Sequence, residues 1–207
     1  MSPKTLAETV KRLMIYNVKG GVGKTAIALN FALTYGYGIV TNDRASVAVD
    51  VLPAGYARIL QPDEEIPIFS EETPILYDFG GYPDDRVKNV IDEAKFVLIP
   101  VLPSAETCQL TLNFIEEISQ YKSISQIIII VNRATLKQFF DMSKLVYRFF
   151  PKMKIFHLNK TAAFARVFAE KKSVHSLAIQ YPAFRRFFQP VAQQFNNIQN
   201  HICYVWR

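Results

Sequence analysis

Lys19-Gly20-Gly21-Val22-Gly23-Lys24-Thr25 is the stretch that decides how this chain is read. Before it, Leu13-Met14-Ile15-Tyr16 has the make-up of a buried strand. After it, Ala26 to Leu33 is a strong helix former with apolar residues on most faces. Strand, glycine-rich turn and helix form the setting that a phosphate-binding loop requires. Glycines leave no Cβ between backbone N–H groups and a phosphate, and the helix N-terminus adds partial positive charge behind them. In such a loop Lys24 reaches the β- and γ-phosphates and the Thr25 hydroxyl ligates Mg²⁺. Gly20, Gly21, Val22, Gly23 and Ala26 supply the backbone around the nucleotide. The motif departs from G-x-x-x-x-G-K-[ST] at its first position, where Val18 stands, and it carries a second lysine, Lys19.

These residues resemble the deviant Walker A signature, K-G-G-x-G-K-[ST], of the ParA/MinD family of P-loop ATPases, with the small ParA-type partition ATPases the nearest in pattern. The resemblance implies that Lys19 crosses a dimer interface to touch the nucleotide of the other protomer. ATP with Mg²⁺ would then be sandwiched between two copies of the chain. Lys19 and Lys24 are accordingly expected among the catalytic residues.

Two further stretches bear on the same site. Gly38 to Asp43 reads as a strand that ends in a carboxylate. The family ends this strand in D-x-D, and here the triplet is Thr41-Asn42-Asp43. By resemblance, Asp43 is the residue that positions the attacking water and stands on the Mg²⁺ side, and the change at Thr41 predicts slow hydrolysis. Thr73 to Gly81 is an apolar run that ends in Asp78 and glycines, a Walker B arrangement whose carboxylate would hold Mg²⁺ through water. Farther on, Gln126 to Arg133 is the clearest buried strand. The resemblance assigns Asn132, at its end, to the adenine edge, which an amide suits because it offers donor and acceptor side by side.

The rest of the chain alternates strand and helix. Helices are expected over Lys4–Arg12, Asp84–Glu93, Ser104–Tyr121, Leu136–Phe150, Thr161–Lys172 and Pro182–Ile202, and strands over Phe96–Val101 and Lys154–His157. Arg44 to Glu72 reads as loops with a short strand at Val47-Ala48-Val49. Phe184, Phe187, Phe188 and Phe195 are expected in the core. The three histidines show no metal-ligand spacing. This pattern predicts an α/β fold, a doubly wound and mostly parallel sheet with helices on both faces, in a single ParA-like P-loop ATPase domain over residues 1–207. Phosphate loop, Asp43 and Asp78 should meet at the C-terminal edge of that sheet.

Half of the residues are apolar, so a large core is available. No apolar run approaches the ~20 residues of a membrane span. Met1 to Arg12 holds no hydrophobic segment of the signal-peptide kind. Cys108 and Cys203 form no C-x-x-C pair, which fits free thiols in a reducing cytoplasm, and the resemblance implies association with the nucleoid there. The net charge of +6 is unevenly spread: from Arg133 onward 13 Lys/Arg face two acids, Asp141 and Glu170. A polyanion partner is expected for that third, with Lys160, Arg166, Lys171, Lys172, Arg185 and Arg186 as phosphate contacts on non-specific DNA.

The function so implied is an ATP-dependent, dimerising partition ATPase, stimulated by a ParB-like centromere-binding partner to segregate plasmid or chromosome DNA. Two alternatives stand beside it. One is a MinD-like membrane-surface positioning ATPase, for which the tail Asn196–Arg207, with Arg207 its one basic residue, is a poor anchor. The other is a nucleotide-gated binding module with little turnover.

Overall fold

A computed structural model describes residues 10–80 and 84–205. In chain order the elements are β1 (Arg12–Asn17), α1 (Lys24–Tyr35), β2 (Gly38–Thr41), α2 (Ala48–Val51), β3 (Ala57–Ile59), β4 (Ile75–Gly80), α3 (Arg86–Glu93), β5 (Phe96–Val101), α4 (Ala105–Ser119), β6 (Ile127–Ala134), α5 (Leu136–Phe149), β7 (Lys154–Asn159), α6 (Ala163–Glu170), α7 (Val174–Gln180) and α8 (Arg185–Val205).

The strands form one seven-stranded sheet in the order β3-β2-β4-β1-β5-β6-β7. Every pairing is parallel. β2, β3 and β4 lie on one side of β1, with β4 inserted next to it, and β5, β6 and β7 build outward on the other. The crevice beyond the carboxyl ends of β1 and its neighbours is therefore the topological switch point, where such sheets bind ligands.

Both faces are covered. Leu13, Ile15, Ile39, Leu76, Leu98, Ile128 and Ile130 pack with residues of α1, α2, α6, α7 and α8. The alternate residues Met14, Tyr16, Val40, Tyr77, Val97, Ile99, Ile127 and Ile129 pack with residues of α3, α4 and α5. The four isoleucines of β6 thus divide between two apolar cores, which is why that strand reads as an unbroken apolar run.

Local chemistry sets the helix ends. Gly36 closes α1 in the left-handed region (φ 76°), and its N–H donates to the Ala32 carbonyl. Ser104 caps α4 by accepting from the Thr107 N–H. Thr135 and Gln138 form a reciprocal capping box on α5.

Three expectations are corrected. Val47-Ala48-Val49 is not a strand: Ala48 to Val51 form a helical turn that buries Ala48 and Val51. The extra strand on that side is β3, with the pattern ARI, too short to show a period. The segment after α6, for which the sequence carries no expectation, holds a further helix. Lys171 ends α6 at φ 53°, Ser173 caps a new helix, and Val174, Leu177 and Ala178 bury its inner face as α7. Of the four phenylalanines, Phe188 and Phe195 lie in the core while Phe184 and Phe187 are exposed. The helix expected over Lys4–Arg12 lies mostly outside the described residues; Arg12 itself already belongs to β1.

Candidate functional site: a phosphate loop at the switch point

The loop is pinned at both ends by asparagines. At the end of β1, Asn17 donates from Nδ2 to the Pro100 carbonyl on β5, and its Oδ1 accepts from the Lys19 N–H, both at 2.8 Å. From the end of β6, Asn132 donates from Nδ2 to the Val22 carbonyl at 2.8 Å. Val22 itself is fully buried and anchors the loop from below. Gly21 (φ 73°) and Gly23 (φ 96°) take left-handed conformations that side chains avoid. Gly23 also has the Asn132 amide where a Cβ would sit.

Gly23 opens α1 with no side-chain cap, and the first turn carries no acid. The first-turn N–H groups and the positive end of the helix therefore remain for an anion.

Lys24 folds back across the loop, and its Nζ donates to the Lys19 carbonyl at 3.0 Å. Burial lowers its pKa, while Asp78 and Asp43 act to raise it. Its path requires Gly80, because a Cβ there would collide with the end of the lysine side chain.

Asp78, on β4 beside β1, is 2% exposed. Neither of its carboxylate oxygens has a hydrogen-bond partner among the described residues. Burial pushes its pKa up to about 6, against the opposing pull of the Thr25 hydroxyl and the Lys24 ammonium, with Asp43 adding to the rise. A buried, unpartnered carboxylate next to a threonine hydroxyl is an oxygen donor set that fits Mg²⁺, with phosphate and water completing the shell. Among the described residues no cluster of three His, Cys, Asp or Glu offers a metal site of another kind.

Asp43 lies just past β2. Its Oδ1 accepts from the Ala45 N–H at 2.9 Å and its own N–H donates to Thr41 Oγ1 at 3.1 Å. Thr41 is fully buried and its hydroxyl donates to the Asp78 carbonyl at 2.7 Å. The position that carries an acid in the family signature is thus a hydroxyl staple between β2 and β4, holding Asp43 and Asp78 in register. Its neighbour Asn42 accepts from the Gly80 N–H and donates to Asp84. Asp84 in turn takes the Arg86 guanidinium, which holds its carboxyl below the ordinary range.

The loop, Thr25, Ala26, Asp43, Asp78 and Arg133 line one cleft of about 510 Å³. A second hollow, of about 740 Å³, adjoins it between Asn42–Ala45 and Asp84–Arg86, with Asp43 on the wall of both.

The structure thus brings together Gly20, Gly21, Gly23, Lys24, Thr25, Ala26, Asp43 and Asp78, as the motifs predict. Lys19 borders the loop, half-exposed, and contributes its carbonyl to Lys24. Asn132 has a task in the loop that the motif does not announce. It is 2% exposed, with its NH₂ on Val22 and its Oδ1 on the Arg133 N–H at 2.9 Å. Its amide holds the loop up and keeps a second N–H and a second lone pair beyond these two bonds. Asn17, Asn42, Gly80 and Arg133 join the site without a sequence-based expectation behind them. Gly80 carries a signal, a glycine at the end of the Walker B strand two residues after Asp78; the others show their roles only across the sheet. Lys160, Arg166, Lys171, Lys172, Arg185 and Arg186 are all exposed on the α6–α8 side. Arg166 pairs with Glu170 and Lys172 donates to Gln180.

No protein-family model and no curated protein matches the sequence. Solved structures do match. Apo McdA from Cyanothece superposes with a TM-score of 0.60 at 15% identity, covering 89% of this chain and 98% of that one. A plasmid partition protein of Borrelia burgdorferi, bound to AMPPNP, gives 0.52 at 14%, covering 79% and 90%. The MinD cell division protein of Aquifex aeolicus gives 0.50 at 14%, covering 90% and 96%. All-parallel sheet, switch-point loop and these superpositions agree: the chain has the fold of the ParA/MinD-type P-loop ATPases.

Proposed function

We propose that this chain is a small ParA-type partition or positioning ATPase that binds Mg²⁺-ATP and pairs with a second copy of itself. The observation that carries this reading is Asp78, buried and without hydrogen-bond partners beside Thr25, with Lys24 guided across Gly80 into the same cleft. A protein that used the glycine loop only as a turn would have no reason to bury an unsatisfied carboxylate there.

In this reading the loop amides and Lys24 bind the phosphates, Thr25 and Asp78 hold the ion, and Asp43 orients water. Lys19 reaches the nucleotide of the second protomer. The ion, when bound, neutralises charge on the β- and γ-phosphates. The exposed cations of α6 to α8 contact DNA phosphates without sequence preference, and a ParB-like partner stimulates turnover. The neighbours that bind nucleotide or act in partition support the class of activity.

The membrane-surface alternative fares less well. No described helix is long and apolar enough to cross a membrane. Ile198 and Ile202 of α8, which a membrane anchor would need free, are fully buried in the core. The low-turnover module keeps one specific support: Thr41 is a structural staple rather than an acid.

Size-exclusion chromatography of wild type and Lys19→Ala, with and without Mg²⁺-ATP, tests the reading. Wild type should shift to a dimer only with ATP, and Lys19→Ala should not shift. A monomer in every condition contradicts it. ATP hydrolysis measured with added DNA and partner then separates an ATPase from a low-turnover module.

A further inference from the structure

We infer that Asn42, Asp84 and Arg86 form a clasp that positions Gly80, and through Gly80 the Lys24 ammonium, for the terminal phosphate of a bound nucleotide. The inference rests on the nucleotide-binding reading above and assigns what tunes the triphosphate end of that site.

Asn42 is the middle residue of the Thr41-Asn42-Asp43 triplet, the place written x in the family signature, and the motif gives it no task. In the fold it has two. Its Oδ1 accepts the Gly80 N–H at 3.1 Å, and its Nδ2 donates to Asp84 Oδ2 at 3.0 Å. An amide suits the place because it must accept on one side and donate on the other.

Asp84 is held in turn. Arg86 donates to it from Nε and Nη2, both at 2.8 Å, and from its backbone N–H at 3.0 Å. The Asp84 and Arg86 side chains are 9% and 16% exposed, so the pair is largely withdrawn from water. A two-pronged guanidinium–carboxylate contact fixes direction as well as charge. Arg86 Nη1 also donates to the carbonyls of Gln61 and Glu64, which anchors the clasp on the loop after β3.

These three side chains line the hollow beside the phosphate cleft and not the cleft itself. Their route to the phosphates is Gly80. The tip of Lys24 fills the space that a Cβ on Gly80 would need, so a shift of the Gly80 backbone moves the ammonium. Lys24 serves the β- and γ-phosphates. The rest of the loop is pinned by Asn17 and Asn132, from β1 and β6, and keeps its shape when the clasp opens. Loss of the clasp therefore bears on ATP more than on ADP.

Calorimetry with Mg²⁺-ATP and Mg²⁺-ADP, together with the Gly80 amide proton resonance of the nucleotide-free protein, tests this. Asn42→Leu removes both bonds without changing charge. It should move the Gly80 resonance upfield and weaken ATP about tenfold, with ADP changed less than about threefold. Arg86→Lys keeps the charge and loses the fork; it should move the same resonance and lower the preference for ATP over ADP by about threefold. Asn42→Asp sets one carboxylate against another and should behave like Asn42→Leu. Adding Asp84→Asn to it again faces a donor with an acceptor, and both readouts should return toward wild type. A Gly80 resonance unmoved in Asn42→Leu overturns the inference. So do equal losses for ATP and ADP, or an exchanged pair that recovers nothing. If wild type binds neither nucleotide, the nucleotide reading itself falls, and this assignment with it, even where the resonance moves.

Discussion

The end of the Lys24 side chain occupies the space that a Cβ at residue 80 would need: a Cβ built on Gly80 lies 2.8 Å from Lys24 Nζ and still closer to its Cε. The loop lysine and the glycine after the Walker B aspartate are therefore one steric unit, although 56 positions separate them. Gly80→Ala should displace a flexible lysine tip rather than the backbone. Thermal stability should change little while Mg²⁺-ATP affinity falls at least tenfold. A melting curve and a calorimetric titration on the same preparation check both halves.

Asp78 makes the metal-free protein sensitive to pH. Its carboxyl titrates near 6 when folded and near 4 when unfolded. Because the folded value is the raised one, the associated stability is fully present below pH 4 and is lost as pH rises through 6. The loss amounts to about 3 kcal/mol. Asp78→Asn should remove this dependence, so that in EDTA the variant gains on wild type between pH 4 and 7. Urea unfolding at several pH values reads the difference directly. The same variant should lose Mg²⁺-dependent nucleotide binding.

Asn132→Ala separates a loop support from a base reader. Removing the amide leaves the Val22 carbonyl without the donor it has now, at a cost of about 1–3 kcal/mol in the absence of any ligand. A residue that served only to read adenine would leave the apo protein as stable as before. Unfolding of the nucleotide-free variant decides between the two.

The basic face should behave as a counterion-release surface. Replacing Lys160, Lys171, Lys172, Arg185 and Arg186 with alanine, one at a time, should weaken binding to random duplex DNA uniformly across sequences. Each cation withdrawn from a phosphate should lower the slope of log K against log salt by about 1. Arg166, already paired with Glu170, should matter least. Filter binding at graded salt measures this.

The sheet and its ligand edge are legible in the sequence because long apolar runs, such as Ile127–Val131, and a contiguous glycine motif are signals local in the chain. The phosphate loop, Asp43 and Asp78 follow from the same locality. Other features depend on the far side of a fold. Arg133 reads as an ordinary strand end until the bulge against β7 turns its backbone left-handed. Asn132 reads only as a base contact, and its bond to the Val22 carbonyl shows only once β6 is set beside the loop. Thr41 reads as a lost acid until its hydroxyl is seen bonded across to Asp78. Short elements also escape: β3 has three residues, and α7 seven residues between a left-handed Lys171 and Pro182.

The most direct measurement of the central claim is a calorimetric titration of the purified chain with ATP in the presence of Mg²⁺. One nucleotide should bind per chain, and replacing Lys24 with alanine should abolish the heat. An absence of heat in the wild-type protein would contradict the account at its root.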